Sequence, residues 1–482
     1  MKKNGLLGNL AWKFAERILA QLITFVVSIV LARMLDPSHY GTVALVTIFI
    51  TIANVFVSDG FGSALIQKKD ADKLDLTSVL IFNIGFSIVL YLVLFFCAPL
   101  ISHFYGEGYE ILTPVLRVLG LRLIPAGINS VQQAYVSKNM IFKKFFLATL
   151  FGTVLSGIVG IGMAYAGFGV WALVAQYLTS TTVDTIVLAL SIGNIYCRGF
   201  SFVRLKGLLD FGSKILASGL LIVGYQELRA LIIGKLYSSQ DLAYYEKGRS
   251  FPNLIIANIN TSIGAVLFPK MASEQDDRAK IRNTTRNSIR FSAYVMCPLM
   301  IGLAAVATPF IRLLLTEKWL PCVPLLQLFC IVYLFQPIHT ANMQAIKAVG
   351  RSDIMLKLEI IKKTVELVAI AITMWYGVPA IVVGMAVCAT LFTLFNAYPN
   401  IKLIDYTFKE QMADILPSIA MSAIMFVAVS FMQRLPISDL PMLMLQVLTG
   451  AVVYVLLSVM TKNKEFMYIL HLIKHKGGEK DA

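Results

Sequence analysis

Leu35-Asp36-Pro37-Ser38-His39-Tyr40-Gly41 is a short turn between two long apolar segments, and the second segment ends on Gly62-Ser63-Ala64-Leu65-Ile66-Gln67-Lys68. A matching ending, Gly264-Ala265-Val266-Leu267-Phe268-Pro269-Lys270, lies 202 positions after the first. Gly234-Lys235-Leu236 lies the same 202 positions after Ala32-Arg33-Met34, so the two anchors share one register without a gap. A register kept over two helices is typical of a duplicated unit. Two such units end near residue 404.

The composition indicates the solvent in which the chain folds. Of 482 residues, 57% are hydrophobic and 14% are charged, against roughly 45–50% and 25% in soluble domains. The apolar residues fall in runs long enough to cross a bilayer. We therefore predict an all-α integral membrane protein with fourteen transmembrane helices. The predicted spans are 9–34, 41–66, 76–101, 111–136, 145–166, 170–193, 207–234, 243–268, 291–315, 323–346, 356–376, 378–399, 412–433 and 441–461.

The repeat and the spans together predict the domain organisation. Six spans fall in each copy, which predicts two pseudo-symmetric six-helix lobes, and two helices remain. The predicted parts are an N-lobe (1–203), a C-lobe (204–404), two extra helices (405–462) and a basic tail (463–482). The segment 271–290, of mixed charge, is expected to be a solvated linker between the eighth and ninth spans.

The basic residues sort the loops into two sides. Most Lys and Arg lie at the N-terminus, in alternate loops and in the C-terminal tail, whereas the opposite side carries only Arg33, Lys235, Arg312, Lys318 and Arg434. By the positive-inside rule the basic side is cytoplasmic, which places both termini in the cytoplasm. The net charge of +15 is therefore mainly a topology signal, and we expect no nucleic-acid partner. The first span is expected to be retained, because no small-residue cleavage site follows it.

Four of the ionisable residues inside the predicted spans of the first lobe bear on its function. Arg17 either extends to the interface or lines a wet cavity, and Asp59 is a possible partner for a cation of the first helix. Arg122 and Asp184 lie at comparable depths in the fourth and sixth spans. They either form a buried ion pair, which is the favoured interpretation, or contact substrate.

The most polar deep stretch begins the second copy. It contains Lys214, Glu227 and Arg229, and the eighth span adds Arg249. An arginine near the bilayer centre requires a carboxylate, water or an anionic ligand. Two interpretations remain open for Glu227 and Arg229. They either form a static buried pair or belong to a substrate path.

Sequence patterns for enzymes are missing. The chain contains no nucleotide-binding G-x-x-x-x-G-K-[ST] loop, no H-E-x-x-H and no cysteine pair with metal-ligand spacing. Its six cysteines are expected to be packing residues without disulfides. We expect no catalytic residues, no metal and no cofactor.

A family resemblance is carried by an ordered set of segments. They are Arg33-Met34-Leu35-Asp36-Pro37-Ser38-His39-Tyr40-Gly41, Asp59-Gly60-Phe61-Gly62-Ser63-Ala64-Leu65-Ile66-Gln67, Lys138-Asn139-Met140-Ile141-Phe142-Lys143, Val266-Leu267-Phe268-Pro269-Lys270, Glu317-Lys318-Trp319-Leu320-Pro321, and Ala341-Asn342 with Ala348-Val349-Gly350-Arg351. Together they resemble the polysaccharide transporter branch of the multidrug/oligosaccharidyl-lipid/polysaccharide (MOP) exporter superfamily, in particular exporters of the teichuronic-acid and colanic-acid type.

This resemblance implies a flippase in the bacterial inner membrane. Its substrate would be an undecaprenyl-pyrophosphate-linked oligosaccharide, moved by alternating access through a cationic central cavity for surface polysaccharide biosynthesis, including lipopolysaccharide. Membrane lipids and the polysaccharide polymerase or export machinery are the other expected partners. The candidate substrate-binding residues rest on depth and charge, and they are Arg17, Asp59, Arg122, Lys214, Glu227, Arg229 and Arg249.

Two other functions remain open from the sequence. A cation-coupled drug antiporter of the same superfamily (MATE-like) would need an acidic cavity with aromatic walls, and the deep arginines favour an anionic cargo instead. A scaffold or synthase accessory without transport is the third function.

Overall fold

The computed structural model describes residues 21–274, 277–468 and 471, without the side chains of 59–60, 210–211, 261–262 and 265–266. These residues form helices and connecting turns with no strand, which confirms the predicted all-α class. The α-helices are α1 (Gln21–Met34), α2 (Pro37–Gln67), α3 (Lys73–Tyr105), α4 (Leu112–Gly120), α5 (Leu123–Asn139), α6 (Phe142–Tyr165), α7 (Val170–Ile192), α8 (Phe202–Leu236), α9 (Ser239–Ser273), α10 (Arg278–Ala305), α11 (Ala307–Leu315), α12 (Val323–Leu334), α13 (Gln336–Ala348), α14 (Ser352–Thr373), α15 (Val378–Leu403), α16 (Phe408–Met432) and α17 (Asp439–Met460). A 3₁₀ turn, Glu317–Cys322, precedes α12.

Ten helical segments in the described part of the chain are long and apolar enough to cross a membrane. Each overlaps one of ten predicted spans, although Arg278–Ala305 begins thirteen residues before the predicted span 291–315. The chain is a multi-pass membrane protein. The other predicted spans are 9–34, which begins before the described residues, and 111–136, 243–268 and 356–376, which carry several ionisable residues. The count of fourteen and the cytoplasmic termini stay predictions.

Local sequence signals set where the helices begin. Pro37 occupies the first turn of α2, where its missing N–H costs nothing. The side chain of Asp72 accepts from the backbone N–H groups of Leu74 and Asp75, and the Asp75 side chain accepts in return from the N–H of Asp72. This capping box satisfies donors that the first turn of α3 would otherwise leave unpaired.

Prolines divide three of the predicted spans into two helices each. Pro125, Pro309 and Pro337 lie just after the junctions α4/α5, α10/α11 and α12/α13. A proline cannot donate to the carbonyl four residues earlier, and its ring clashes with that carbonyl. At α10/α11 the Ala305 carbonyl instead accepts from the side-chain amide of Gln433 at 2.8 Å. The junction is therefore a satisfied break in the helix.

The predicted linker 271–290 is wrong. α9 continues to Ser273, and α10 begins at Arg278 after Asp277, whose side chain caps the backbone N–H groups of Ala279 and Lys280. Three arginines of this segment form ion pairs with carboxylates on α16 and in the segment that follows α17. The pairs are Arg282–Glu410 at 2.7 Å, Arg286–Asp414 at 2.7 Å and Arg290–Glu465 at 2.8 Å.

The chain divides into two compact units, Met1–Ala243 and Tyr244–Ala482. In the first unit α2 packs along α8 and against the start of α9, and this close approach depends on small residues. A Cβ on Gly41 would lie 1.7 Å from the carbonyl oxygen of Ser239, and one on Gly234 would lie 2.2 Å from Leu45 Cδ2. The boundary near residue 203 between duplicated lobes rests on the sequence repeat and stays a prediction.

The second unit holds the two C-terminal helices against α10. Tyr294, Met421, Met425 and Tyr454 form a buried cluster that joins α10, α16 and α17. Within it the Tyr454 hydroxyl donates to the carbonyl oxygen of Tyr294 at 2.9 Å. The predicted extra helices therefore share a core with the second unit.

Candidate functional site

A polar cavity of about 450 Å³ lies inside the first unit. Four helices and the α4/α5 junction form its wall. Most of the lining side chains are neutral hydroxyls and amides, together with one guanidinium and one carboxylate. The polar lining residues are Asn54, Ser58 and Ser63 on α2, Arg122 at the junction, Asn129, Ser130, Gln133 and Ser137 on α5, Thr149 and Thr153 on α6, and Ser180, Thr181 and Asp184 on α7.

Two glycines bring the wall helices together. A Cβ on Gly152 of α6 would lie 3.0 Å from the carbonyl oxygen of Ser180 on α7. A Cβ on Gly127 of α5 would lie 2.4 Å from Ser87 Oγ on α3. Such close approach needs a residue without a side chain. Gly152 thus allows the close contact of α6 with α7, and Gly127 allows the close contact of α5 with α3.

Arg122 occupies the break between α4 and α5. Its Nε donates to Thr181 Oγ1 at 2.7 Å, and its Cζ lies 5.6 Å from the centroid of the Tyr177 ring. Thr181 Oγ1 in turn donates to the Tyr177 carbonyl oxygen at 3.2 Å. Within the described residues this is the only hydrogen bond of the Arg122 side chain. Its two terminal NH₂ groups therefore remain available.

Asp184 lies one helical turn after Thr181. Its Oδ2 accepts from Asn129 Nδ2 at 3.1 Å, and Asn129 Oδ1 is itself held by a hydrogen bond from Gln133 Nε2. Asp184 Oδ1 is buried and accepts no hydrogen bond from the described residues. No ion pair joins Asp184 to Arg122 in this part of the chain. The favoured interpretation of these residues as a buried ion pair is therefore wrong, because a neutral partner holds each charge.

The remaining predicted site residues lie elsewhere. Lys214, Glu227 and Arg229 are on α8 of the first unit and do not line the cavity; the Arg229 Cζ lies 5.5 Å from the Tyr225 ring centroid. Arg249 is on α9 in the second unit, and its Nη2 lies 2.8 Å from Glu246 Oε2.

The other two predicted site residues cannot be compared with this geometry. Arg17 lies outside the described residues, and so does the side chain of Asp59. Of the predicted site residues with described side chains, the structure places only Arg122 in the cavity wall.

The sequence analysis did not assign Asn129, Gln133 and Thr181 to a site. A signal was present, since Asn129 and Gln133 are four apart on α5 and Thr181 and Asp184 are three apart on α7. Residues at these spacings share one helix face. Two polar faces in neighbouring spans indicate a shared internal space.

The wall offers both neutral and charged hydrogen-bonding groups, and it contains donors as well as acceptors. Hydroxyls and amides both donate and accept, the guanidinium only donates, and the ionised carboxylate only accepts. With one charge of each sign, the described lining has no net formal charge. Such a surface suits a ligand with many hydrogen-bonding groups of its own.

The sequence of the chain matches known proteins over most of its length. A model of the family described as "Polysaccharide biosynthesis protein" matches residues 30–324. The chain is 25% identical to the lipopolysaccharide biosynthesis protein WzxC of Escherichia coli (strain K12), over 77% of this chain and 76% of that protein. It is 28% identical to the teichuronic acid biosynthesis protein TuaB of Bacillus subtilis (strain 168), over 63% of this chain and 62% of that protein.

The fold also matches a solved structure. The lipid II flippase MurJ, in an inward closed conformation, superposes with a TM-score of 0.76. The match covers 94% of this chain and 99% of that chain at 15% sequence identity. At this identity the likeness concerns the fold alone.

Proposed function

We propose that this chain, which belongs to the polysaccharide biosynthesis protein family, is a flippase of the MOP exporter superfamily in the bacterial inner membrane. Its substrate is an undecaprenyl-pyrophosphate-linked oligosaccharide, which it moves from the cytoplasmic to the outer leaflet by alternating access. The relatives are named for lipopolysaccharide and teichuronic acid biosynthesis, and the structural neighbour is named a lipid flippase. The product serves cell-surface polysaccharide biosynthesis.

The polar cavity inside a membrane-spanning unit is the observation that carries this proposal. α2, α6 and α7, which form three of its walls, are among the apolar helices able to cross a membrane. Burying a polar group in hydrocarbon without a hydrogen bond is costly. A glycan therefore needs a protein wall that replaces its water, and hydroxyl and amide side chains do this.

The composition of the wall favours a glycan over a lipophilic cation. A drug antiporter of the same fold would need an excess of acidic groups and aromatic walls. The lining of the described cavity contains Asp184 balanced by Arg122, and none of its lining residues is aromatic. The named functions of the relatives likewise give no support to an enzymatic reaction, so we propose transport without catalysis, cofactor or metal.

The pyrophosphate would require cations, and we propose Arg17, Arg229 and Arg249 as successive stations for it. Arg249 and Glu246 are paired, yet their side chains are 38% and 33% exposed, so an incoming phosphate can compete for the arginine. Glu227, close to Arg229 in α8, would hold that arginine when no substrate is bound. If Arg→Gln at all three stations leaves polysaccharide export normal, this path does not exist.

Translocation in proteoliposomes tests the function. The purified full chain is reconstituted with polyprenyl-pyrophosphate-linked oligosaccharide in the outer leaflet, and protection of the glycan from an impermeant glycosidase reports its movement. We expect protein-dependent protection. Liposomes with equal protein content but no gain in protection over empty liposomes would refute a flippase and leave the accessory role.

The orientation is proposed from the loop charges. Cysteines placed at Lys143 and Asp277 should be shielded from an impermeant thiol reagent in whole cells, whereas one at Gly108 should react. Asp277 directly precedes α10, and Gly108 lies between α3 and α4. Reaction at Asp277 in intact cells would reverse the topology.

A further inference from the structure

We propose that the cavity of the first unit is a saccharide subsite that selects the glycan, separate from the groups that hold the pyrophosphate. This inference rests on the proposed function and adds to it which part of the cargo the cavity contacts. Its ligand is one or more uncharged sugar residues, bound through the terminal NH₂ groups of Arg122 and the free carboxylate oxygen of Asp184.

The first argument is that these two groups are not used by the fold. The Nε–H of Arg122 donates to Thr181, and Oδ2 of Asp184 accepts from Asn129. The other carboxylate oxygen of Asp184 and Thr149 Oγ1 in the same wall are both buried, and neither has a hydrogen-bond partner among the described residues. Buried polar atoms are normally hydrogen-bonded, so each exception requires an explanation. A ligand that supplies the missing partners is such an explanation.

The second argument is that the wall keeps the two charges apart. Thr181 and Asp184 lie one turn apart on α7, and Arg122 reaches that face at Thr181. Asn129 fixes the carboxylate from the other side, and Gln133 fixes Asn129. Neutral side chains thus hold a donor and an acceptor in one cavity wall without an ion pair between them. The pair is preorganised, which lowers the entropic cost of binding.

The third argument concerns which ligand this combination accepts. A phosphate or carboxylate near Arg122 would meet the like charge of Asp184, and a cation near Asp184 would meet Arg122. A sugar hydroxyl donates one hydrogen bond and accepts others, so neighbouring hydroxyls can donate to the carboxylate and accept from the guanidinium. Hydrogen bonds to charged groups are the stronger ones. The mixed wall therefore favours an uncharged polyol over an ion of either sign.

Size and surroundings agree with this assignment. A volume of about 450 Å³ lies within the range of about 300–1,000 Å³ that is typical of small-molecule sites. Gly62 and Ala126 leave room along the α2 and α5 walls, while Ser63, Thr153 and Ser180 add hydroxyls around it. These neutral groups can bond the outer hydroxyls of a sugar residue.

The test compares lipids that share the polyprenyl pyrophosphate and differ only in the glycan. One carries a single N-acetylglucosamine residue, and three carry tetrasaccharides of glucose, galactose or N-acetylglucosamine. We expect the wild type to have a lower KM for at least one tetrasaccharide lipid than for the monosaccharide lipid. In Arg122→Gln and Asp184→Asn, the KM for that tetrasaccharide lipid should rise about tenfold or more, and the KM for the monosaccharide lipid should change much less.

Arg117→Gln is the matched control. Arg117 lies on α4 close to Arg122, but its Nε donates to the Phe95 carbonyl oxygen at 3.2 Å and its Cζ lies 4.3 Å from the Phe95 ring centroid. It does not line the cavity, so this variant should keep the glycan preference. A second set, Thr153→Val and Ser180→Ala, removes hydroxyls without touching a charge. This set should also reduce the preference for the tetrasaccharide lipid. It provides the test if the charge variants fail to fold.

The outcomes separate the two proposals. A wild type that moves none of the four lipids refutes the flippase itself. A wild type that moves them all with one KM, or cavity variants that keep the wild-type preference, refutes the saccharide subsite and leaves the flippase standing. An equal rise in KM for all four lipids in Arg122→Gln would mean that this arginine contacts the pyrophosphate, which also refutes the subsite.

Discussion

Asp414→Ala should destabilise the second unit at the contact between α10 and α16. Asp414 Oδ2 accepts from Arg286 Nε at 2.7 Å and from the Tyr406 hydroxyl at 2.9 Å, and its Oδ1 accepts from Arg286 Nη2 at 2.9 Å. The carboxylate is 7% exposed and the Arg286 side chain is 38% exposed. Arg290 Nε lies 3.9 Å from the same carboxylate. Asp414 on α16 thus accepts from α10 and from the segment that precedes α16.

The magnitude follows from these partners. Breaking a fully buried ion pair costs about 3–5 kcal/mol, but water screens the exposed third of Arg286, so we assign about 1.5–2 kcal/mol to that pair. The hydrogen bond of the buried Tyr406 hydroxyl adds about 1 kcal/mol. We therefore expect a loss of about 3 kcal/mol for Asp414→Ala, about 1 kcal/mol for Tyr406→Phe, and a coupling energy of about 1.5 kcal/mol between Arg286 and Asp414.

Reversible SDS unfolding in mixed micelles measures these differences. The double-mutant cycle uses Arg286→Ala, Asp414→Ala and the double variant, with Asp414→Asn to separate charge from shape. If Asp414→Ala costs less than about 1 kcal/mol, or if the coupling energy is near zero, the α10–α16 contact does not hold the first extra helix to the second unit by charge.

Two further predictions concern packing and pH in the first unit. Gly41→Ala should destabilise the protein by about 1–3 kcal/mol or more, because its Cβ would lie 1.7 Å from the Ser239 carbonyl oxygen. Gly85→Ala is the control, since its added Cβ has no atom within 4 Å, and it should not destabilise the protein. Equal SDS-unfolding midpoints for the two variants would contradict the packing of α2 on the start of α9. A hydrogen bond from the Arg204 guanidinium lowers the pKa of Asp72 to about 2. The stabilisation that this bond gives the folded protein is therefore present above about pH 4 and is lost as the pH falls from about 4 to about 2. In thermal unfolding Asp72→Asn should lose that part of the acid sensitivity, and an unchanged pH profile would refute the role of Asp72.

Sequence reasoning succeeded where one long-range physical constraint dominates. Apolar runs long enough to span a bilayer have to be helical, because hydrocarbon leaves no partner for free backbone groups, and this predicted the all-α class and ten of the apolar spans. The ordered segments beginning with Arg33-Met34-Leu35-Asp36-Pro37 predicted the family, which the comparisons confirm. These results depend on hydrophobicity and on local sequence, which are both visible without the structure.

Sequence reasoning failed where charged residues were treated as evidence of a solvent-exposed loop. Arg278, Arg282, Arg286 and Arg290 were interpreted as part of a solvated linker, although their spacing of four residues places all of them on one helix face. Three of them find carboxylate partners at or beyond α16, more than a hundred residues later in the chain. Composition alone cannot show those partners, but the spacing could have predicted the helix.

The interpretation of Arg122 and Asp184 failed for a different reason. An unpaired charge inside a membrane protein is costly, so two opposite charges at one depth suggested an ion pair. The Pro125 junction instead places the Arg122 guanidinium at Thr181, and Asn129 takes the carboxylate. Whether two charges meet or stop one turn apart depends on the angle of a helix break, which the sequence does not encode at that precision. The same angle leaves an uncommitted donor and an uncommitted acceptor in one cavity wall, so the feature that sequence reasoning could not predict is the one on which the proposed recognition of an uncharged glycan depends.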